Sequence, residues 1–260
     1  MKQLIVWLLV FVVALSACSF TPPGAVTGSG NMVTQTFDVR DFDQIRLGTS
    51  GVMYIEQGDN FSLSIEADDN ILPVLQVEVE KGVLTLRTTP EVSMLQFETL
   101  IYRVTLPKLS AIDLSGSADI RVEDFTADSL DININGSGDV TFVNLDVASL
   151  SVRISGSGDM ILPNVAAKTI LAEVNSSGLM EAAGTTDRLH VKVSGSGDLL
   201  AEKLKASIVE VAVNGSGDVT VWAVDTLDVS ISGSGNVRYL GSPTLTKKIS
   251  GGGDLSKLDS

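Results

Sequence analysis

The residues with the clearest chemical potential recur at a fixed interval. Asp119, Asp139, Asp159, Asp198 and Asp218, continued by Asn236 and Asp254, each close a tetrapeptide of the Gly-Ser-Gly-Asp type. Carboxylates repeated beside glycine-rich turns make an oxygen-rich array of the kind calcium takes. The six aspartates are therefore candidate calcium ligands. In the alternative, each carboxylate closes its turn by accepting from nearby backbone N–H groups while the glycines supply positive φ. Asn236 fits that second role equally well. Leu179, at the equivalent place in the fourth repeat, shows that the turn forms without a carboxylate, and it would interrupt a continuous metal ladder.

Other reactive side chains are scarce. One Cys and one His in 260 residues exclude an internal disulfide framework, a Cys-based zinc cluster and a multi-histidine metal site. His190 falls on an outward strand position two residues before Lys192, between the equivalent Leu171 and Glu210, and reads as a solvated polar-face residue rather than a general base. Gly-Ser-Gly is no nucleophile elbow, which needs a strand-to-helix turn. Trp222, Tyr54, Tyr102 and Tyr239 are too few and scattered for a sugar-stacking cluster. The chain therefore reads as a non-enzyme, with a carbohydrate-active β-helix enzyme as the lesser alternative. A net charge of −14 argues against nucleic acid as a partner.

What must position these residues is a repeat. The tetrapeptide or a variant begins at Gly116, Gly136, Gly156, Ser176, Gly195, Gly215, Gly233 and Gly251, at spacings of 20, 20, 20, 19, 20, 18 and 18 residues. Between turns, apolar residues alternate with polar ones: Ile132 and Ile134, Val152 and Ile154, Ala172 and Val174, Val191 and Val193, Val211 and Val213, Val229 and Ile231. A period of two marks strands, and no helical periodicity is sustained. The expected fold is all-β, a parallel β-solenoid with coils of about 20 residues, right-handed by the crossover rule.

A hairpin meander is the competing geometry, and the columns discriminate. In a solenoid the residues before the turns, Ser115, Asn135, Ser155, Asn175, Ser194, Asn214, Ser232 and Ser250, stack where side chains can hydrogen-bond along the column. Two residues earlier, Arg153, Glu173 and Lys192 alternate in sign, which suits parallel in-register neighbours. Both sets are candidate surface columns.

Residues 32–110 read as a β-rich amino-terminal cap with the first coils, and 111–254 as the repeats. Strands are expected over 37–45, 52–55 and 61–65, with a hairpin over 77–86 about Lys81-Gly82. Asp69 and Asn70 are expected to cap a short helical turn over 71–76. Gly48-Thr49-Ser50-Gly51 reads as a degenerate first turn, and 255–260 as a polar tail.

At the other end, Lys2 precedes an apolar run over 4–14 that is too short to span a bilayer and suits a signal peptide over 1–17. Leu15-Ser16-Ala17-Cys18 resembles the lipobox of bacterial lipoproteins. That resemblance implies a diacylglyceryl group on Cys18 and a membrane held through lipid rather than a spanning helix. Residues 18–31, rich in Pro and Gly, read as a flexible tether.

The run Phe42-Asp43-Gln44-Ile45, the Gln57-Gly58 turn, Ile65-Glu66-Ala67-Asp68-Asp69-Asn70, Val83-Leu84-Thr85-Leu86 and the Gly-Ser-Gly-Asp ladder together resemble the head GIN domain family, a domain of unknown function named for autotransporter adhesins. The resemblance covers 36–254 and implies an exported, often lipid-anchored β-solenoid with a role in adhesion. It carries no catalytic residues. The expected partners are the membrane, through the lipid, and a glycan or envelope protein. The expected place is the cell membrane or outer membrane, facing the periplasm or exterior. A structural or sensory envelope module that binds a protein regulator is the alternative.

Overall fold

The computed structural model describes residues 23–259. Residues 1–17, Cys18, the start of the expected tether and Ser260 lie outside them. Five strands come first: β1 (Ala25–Thr27), β2 (Met32–Phe37), β3 (Gln44–Gly48), β4 (Val52–Gln57) and β5 (Ser62–Asp68). After a 3-10 turn at Leu72–Val74 follow β6 (Leu75–Glu80), β7 (Val83–Thr88), β8 (Met94–Gln96) and β9 (Leu100–Leu106). The repeats are β10 (Ala111–Leu114), β11 (Asp119–Ile134), β12 (Val140–Ile154), β13 (Met160–Val174), β14 (Met180–Val193), β15 (Leu199–Val213) and β16 (Val219–Ile231). The last are β17 (Val237–Leu240), β18 (Thr244–Ile249) and β19 (Leu255–Lys257).

The expected parallel solenoid forms, and it has about 7 turns. Each of β11 to β16 is most of one coil. β11 pairs with β12 in three runs, 120–122, 124–127 and 129–134, so the chain bends between them and returns to the same azimuth 20 residues later. The alternating apolar residues face inward in every coil. Ile132, Val152, Ala172, Val191, Val211 and Val229 stack in register and are buried. Gly48 to Gly51 is the first turn, since β3 pairs with β10 and β4 with β11 in the register of the later coils.

The turn glycines are required for a different reason from the one expected. None in the Gly-Ser-Gly-Asp column has positive φ. Instead, a Cβ on Gly136 would lie 1.8 Å from the carbonyl oxygen of Gly116, and one on Gly156 would lie 1.9 Å from that of Gly136. Gly138 and Gly158 are blocked in the same way by Ala118 and Gly138, at 1.9 and 2.0 Å. The approach serves hydrogen bonds between coils: Ser157 N–H donates to Gly136 C=O at 2.9 Å and Ser216 N–H to Gly195 C=O at 2.9 Å. Where Ser176 replaces glycine, its hydroxyl donates to the Gly156 carbonyl that its Cβ crowds.

The shortened repeats leave this column intact. Register shifts fall between Leu162 and Val165, between Glu181 and Ala183, and between Ala201 and Lys205, away from the turn. Gly184, paired with Val165 at the first of these shifts, has φ 128°. Missing residues are thus absorbed where a bulge is tolerated.

The cap departs from expectation in three places. Residues 38–43 are a loop rather than part of a strand over 37–45, because β2 runs antiparallel to β5 whereas β3 runs parallel to β7 and β10. The chain reverses between them with Asp41 at φ 60°. The helical turn shrinks to Leu72–Val74 and has no side-chain cap. Asp69 and Asn70 hold the segment expected to be a tether: Ser29 Oγ and Asn31 Nδ2 donate to Asp69 at 2.6 and 2.8 Å, and Asn70 Nδ2 donates to Thr27 C=O at 2.8 Å. These bonds, from Ser29 first, hold the Asp69 carboxyl below the usual carboxylate range. With β1 paired to β8, residues 25–31 belong to the cap. The hairpin forms as expected, β6 against β7, with Lys81 and Gly82 both at positive φ. At the far end the expected tail includes β19, paired with β17, because 255–257 continue the coil register.

The Cβ contacts separate two glycines sharply. Gly156→Ala should destabilise the chain by about 1–3 kcal/mol, since backbone rather than a flexible side chain must yield. Gly252→Ala, whose nearest neighbour is Ser234 Oγ at 3.8 Å, should stay within about 0.5 kcal/mol. Paired urea unfolding curves check both.

Candidate functional site: the turn ridge

The six aspartates and Asn236 stand in one column beside the turns, and all but Asp254, the last of them, are used in the same way. Asp119 Oδ1 accepts from the N–H of Asp139 at 3.1 Å, Asp139 from Asp159 at 2.9 Å, and Asp159 from Leu179 at 2.8 Å. Past the break, Asp198 accepts from Asp218 at 2.7 Å, Asp218 from Asn236 at 2.9 Å, and Asn236 Oδ1 from Asp254 at 3.1 Å. The carboxylate therefore serves the next coil rather than its own turn. Sequence shows the alignment of these residues but not the direction in which their side chains point.

The need arises from the backbone. At this corner the carbonyl of each column residue from Asp139 onward accepts from the preceding coil, as Val140 N–H to Asp159 C=O at 2.9 Å, while its N–H has no carbonyl opposite; only Asp119, in the first coil of the column, donates its N–H to a carbonyl, that of Gly51 at 2.9 Å. An acceptor one coil back pairs the donor that the sheet leaves over. Asn236 substitutes without loss because its Oδ1 accepts equally well. Leu179 cannot accept, so the ladder is interrupted between coils at Asp198. Among the described residues no three His, Cys, Asp or Glu side chains converge closely enough to hold a metal.

In front of the aspartates runs the ridge itself. Ser115, Asn135, Ser155, Asn175, Ser194, Asn214, Ser232 and Ser250 are all exposed and stacked by register. A second exposed column, Ser117, Ser137, Ser157, Ser177, Ser196, Ser216 and Ser234, lies beside it. Their backbones are bound, with Asn135, Ser155 and Asn175 N–H groups each 2.8 Å from a carbonyl of the preceding coil. The expected side-chain bonds along the first column do not form among the described residues. The amides of Asn135, Asn175 and Asn214 instead point outward, unengaged.

The charged column is in register as expected. Arg153 lies between Asn133 and Glu173, and its Nε donates to Glu173 at 2.9 Å. Lys192 follows Glu173 in the same row. His190 lies between Leu171 and Glu210, with Nδ1 2.9 Å from the Glu210 carboxylate, on an exposed face. Two interactions escaped the sequence reading. Asn144 donates to Asp124 at 2.7 Å and Asn164 to Asn144 at 2.8 Å, a second polar ladder whose 20-residue spacing was visible. Gln57 closes the cap onto the repeats, donating to Pro107 and Thr126 carbonyls and accepting from Thr126 N–H at 2.9 Å.

A cap, a repeated Gly-Ser-Gly-Asp turn and an aspartate ladder make a fold specific enough to compare. The family model described as "Putative auto-transporter adhesin, head GIN domain" matches residues 41–243. The chain belongs to that family.

Several solved structures share the architecture over most of this chain. A "Putative lipid binding protein" from Parabacteroides distasonis is 28% identical, with a TM-score of 0.85, over 90% of this chain and 100% of that one. A "putative adhesin" from Bacteroides fragilis is also 28% identical, with a TM-score of 0.71 and the same coverages. A "putative adhesin" from Parabacteroides merdae, at 23% identity, has a TM-score of 0.85 over 91% of this chain and 100% of that one, which shows the common fold. No curated protein matches the sequence. The Asp68-Asp69-Asn70 run that carried the resemblance is the clamp on residues 27–31, and Gln57 is the latch between cap and coils.

The ladder's one gap gives its test. Leu179→Asp supplies the missing acceptor for Asp198 N–H and should stabilise the head GIN domain by about 0.5–1.5 kcal/mol, whereas Asp139→Ala should destabilise it by a similar amount. Thermal unfolding in calcium and in chelator should give superimposable midpoints for the parent chain and both variants. A calcium-dependent rise would instead mark the aspartates as ligands.

Proposed function

We propose that this head GIN domain is an exported, non-enzymatic surface-interaction module, anchored through lipid on Cys18, that engages a glycan or envelope protein along its turn ridge. The observation that carries this reading is the pair of exposed columns. Regularly repeated hydroxyls and amides, backed by glycines that cannot shift and by hydrogen bonds between coils, present a linear array of donors and acceptors. Such an array suits an extended polymer better than a compact small molecule, because its spacing is fixed over many coils. The array is pre-organised: its backbone is paired before any partner arrives, so binding does not bear the cost of ordering it.

Family membership and the adhesin-like relatives support a place at the cell surface or envelope. The lipobox-like segment supports the anchor.

The test combines retention and fractionation. Purified chain should be retained on immobilised envelope polysaccharide or envelope protein, and Asn135→Ala/Asn175→Ala/Asn214→Ala should weaken retention roughly tenfold or more at an unchanged unfolding midpoint. In cells, Cys18→Ser should leave the membrane fraction. Retention by neither polysaccharide nor envelope protein would contradict the proposal, and a single stoichiometric protein partner would turn it towards a regulatory module.

A further inference from the structure

The last coil breaks the rule that governs the core. β18 lies in register with β16, so that Leu245, Lys247 and Ile249 continue the inward columns of Leu227, Val229 and Ile231. Above Lys247 the column reads Ile132, Val152, Ala172, Val191, Val211 and Val229, all buried. β19 repeats the substitution independently: Leu255 and Lys257 continue the inward pair Val237 and Tyr239 of β17. Two separate core columns thus change from apolar to lysine in the same coil. Lys247 stands between Leu245 and Ile249, which are 38% and 39% exposed, and Lys257 Nζ donates to Ser242 Oγ at 3.3 Å.

That surface has what a stacking partner needs. Among the described residues β18 pairs with β16 and β19 with β17, leaving their outer N–H and C=O groups free. Such an edge invites pairing, and an inward-pointing charge is a known way to block it. A coil laid over β18 and β19 would bury the ammonium groups of Lys247 and Lys257 between apolar layers without a carboxylate opposite, which costs several kcal/mol per ion. The amino-terminal end offers no matching coil, since β2, β5 and β9 close it with antiparallel pairing. The stacking left to two copies is therefore end to end about a two-fold axis, which places the lysines of both copies in one layer.

We propose that Lys247 and Lys257 prevent a second copy of this chain from stacking on the edge formed by β18 and β19. The inference is independent of the ridge and of whatever binds there. Sedimentation analysis of the purified chain across a wide concentration range should show a monomer. Lys247→Val/Lys257→Leu, which restores the column chemistry, should about double the mass in a concentration-dependent way, while Lys247→Glu/Lys257→Glu should remain monomeric. Both positions are exposed, so circular dichroism should be unchanged; if the double variant misfolds, Lys247→Val alone carries the test. A folded apolar variant that stays monomeric, a dimeric glutamate variant, or an end-stacked dimer of the parent chain would each overturn the proposal.

Discussion

The structure depends on one close approach: at every turn, the carbonyl oxygen of one coil occupies the space where a Cβ of the next coil would stand. Cβ positions only 1.8–2.3 Å from those oxygens hold the first and third turn positions to glycine in every repeat except at Ser176 and Ala118. The coils are therefore locked in register at that corner. With the corner fixed, each residue N-terminal and C-terminal to it falls above its counterpart, and the core columns, the aspartate ladder and the exposed ridge follow. Deletions cannot be absorbed there, which explains why the shortened repeats take up their missing residues at another bend.

The aspartate column answers a shortage created by that geometry. The aspartates pair a backbone N–H that the bend leaves without a carbonyl, whereas Asn144 links Asp124 and Asn164 side chain to side chain along a second column. The Ser and Asn ridge answers no internal shortage: its backbones are bound, and the amides of Asn135, Asn175 and Asn214 stay unengaged. Groups that the fold does not use are available for other purposes. This separation between columns that hold the coils together and a column that faces outward underlies the proposed role as a display surface.

Parallel, in-register stacking made most of the fold legible, because whatever one coil requires the next requires again. The inward pairs from Ile132 and Ile134 to Val229 and Ile231, the degenerate turn at Gly48 and the alternation of Arg153, Glu173 and Lys192 all followed from counting residues. Counting does not reveal direction along the stack. The aspartates reach to the next coil, and the glycines answer a steric demand rather than a positive φ; both features lie along an axis that sequence spacing does not resolve. The cap was harder still. Its contacts occur once each, and the antiparallel pairing of β2 with β5 leaves no period. The clamp of Asp69 and Asn70 on residues 27–31 joins segments 38 to 43 residues apart with nothing in the intervening chain to announce it.

If the turns are structural contacts rather than surface loops, their amides must be protected, and native-state hydrogen exchange reads that protection residue by residue. If coil-to-coil bonds such as Ser157 N–H to Gly136 C=O hold the corner, the amides of Ser137, Ser157 and Ser216 should exchange only as slowly as those of core residues such as Val152, in one cooperative opening. Exchange of these amides at the rate of exposed turns, with the strands still protected, would contradict the account.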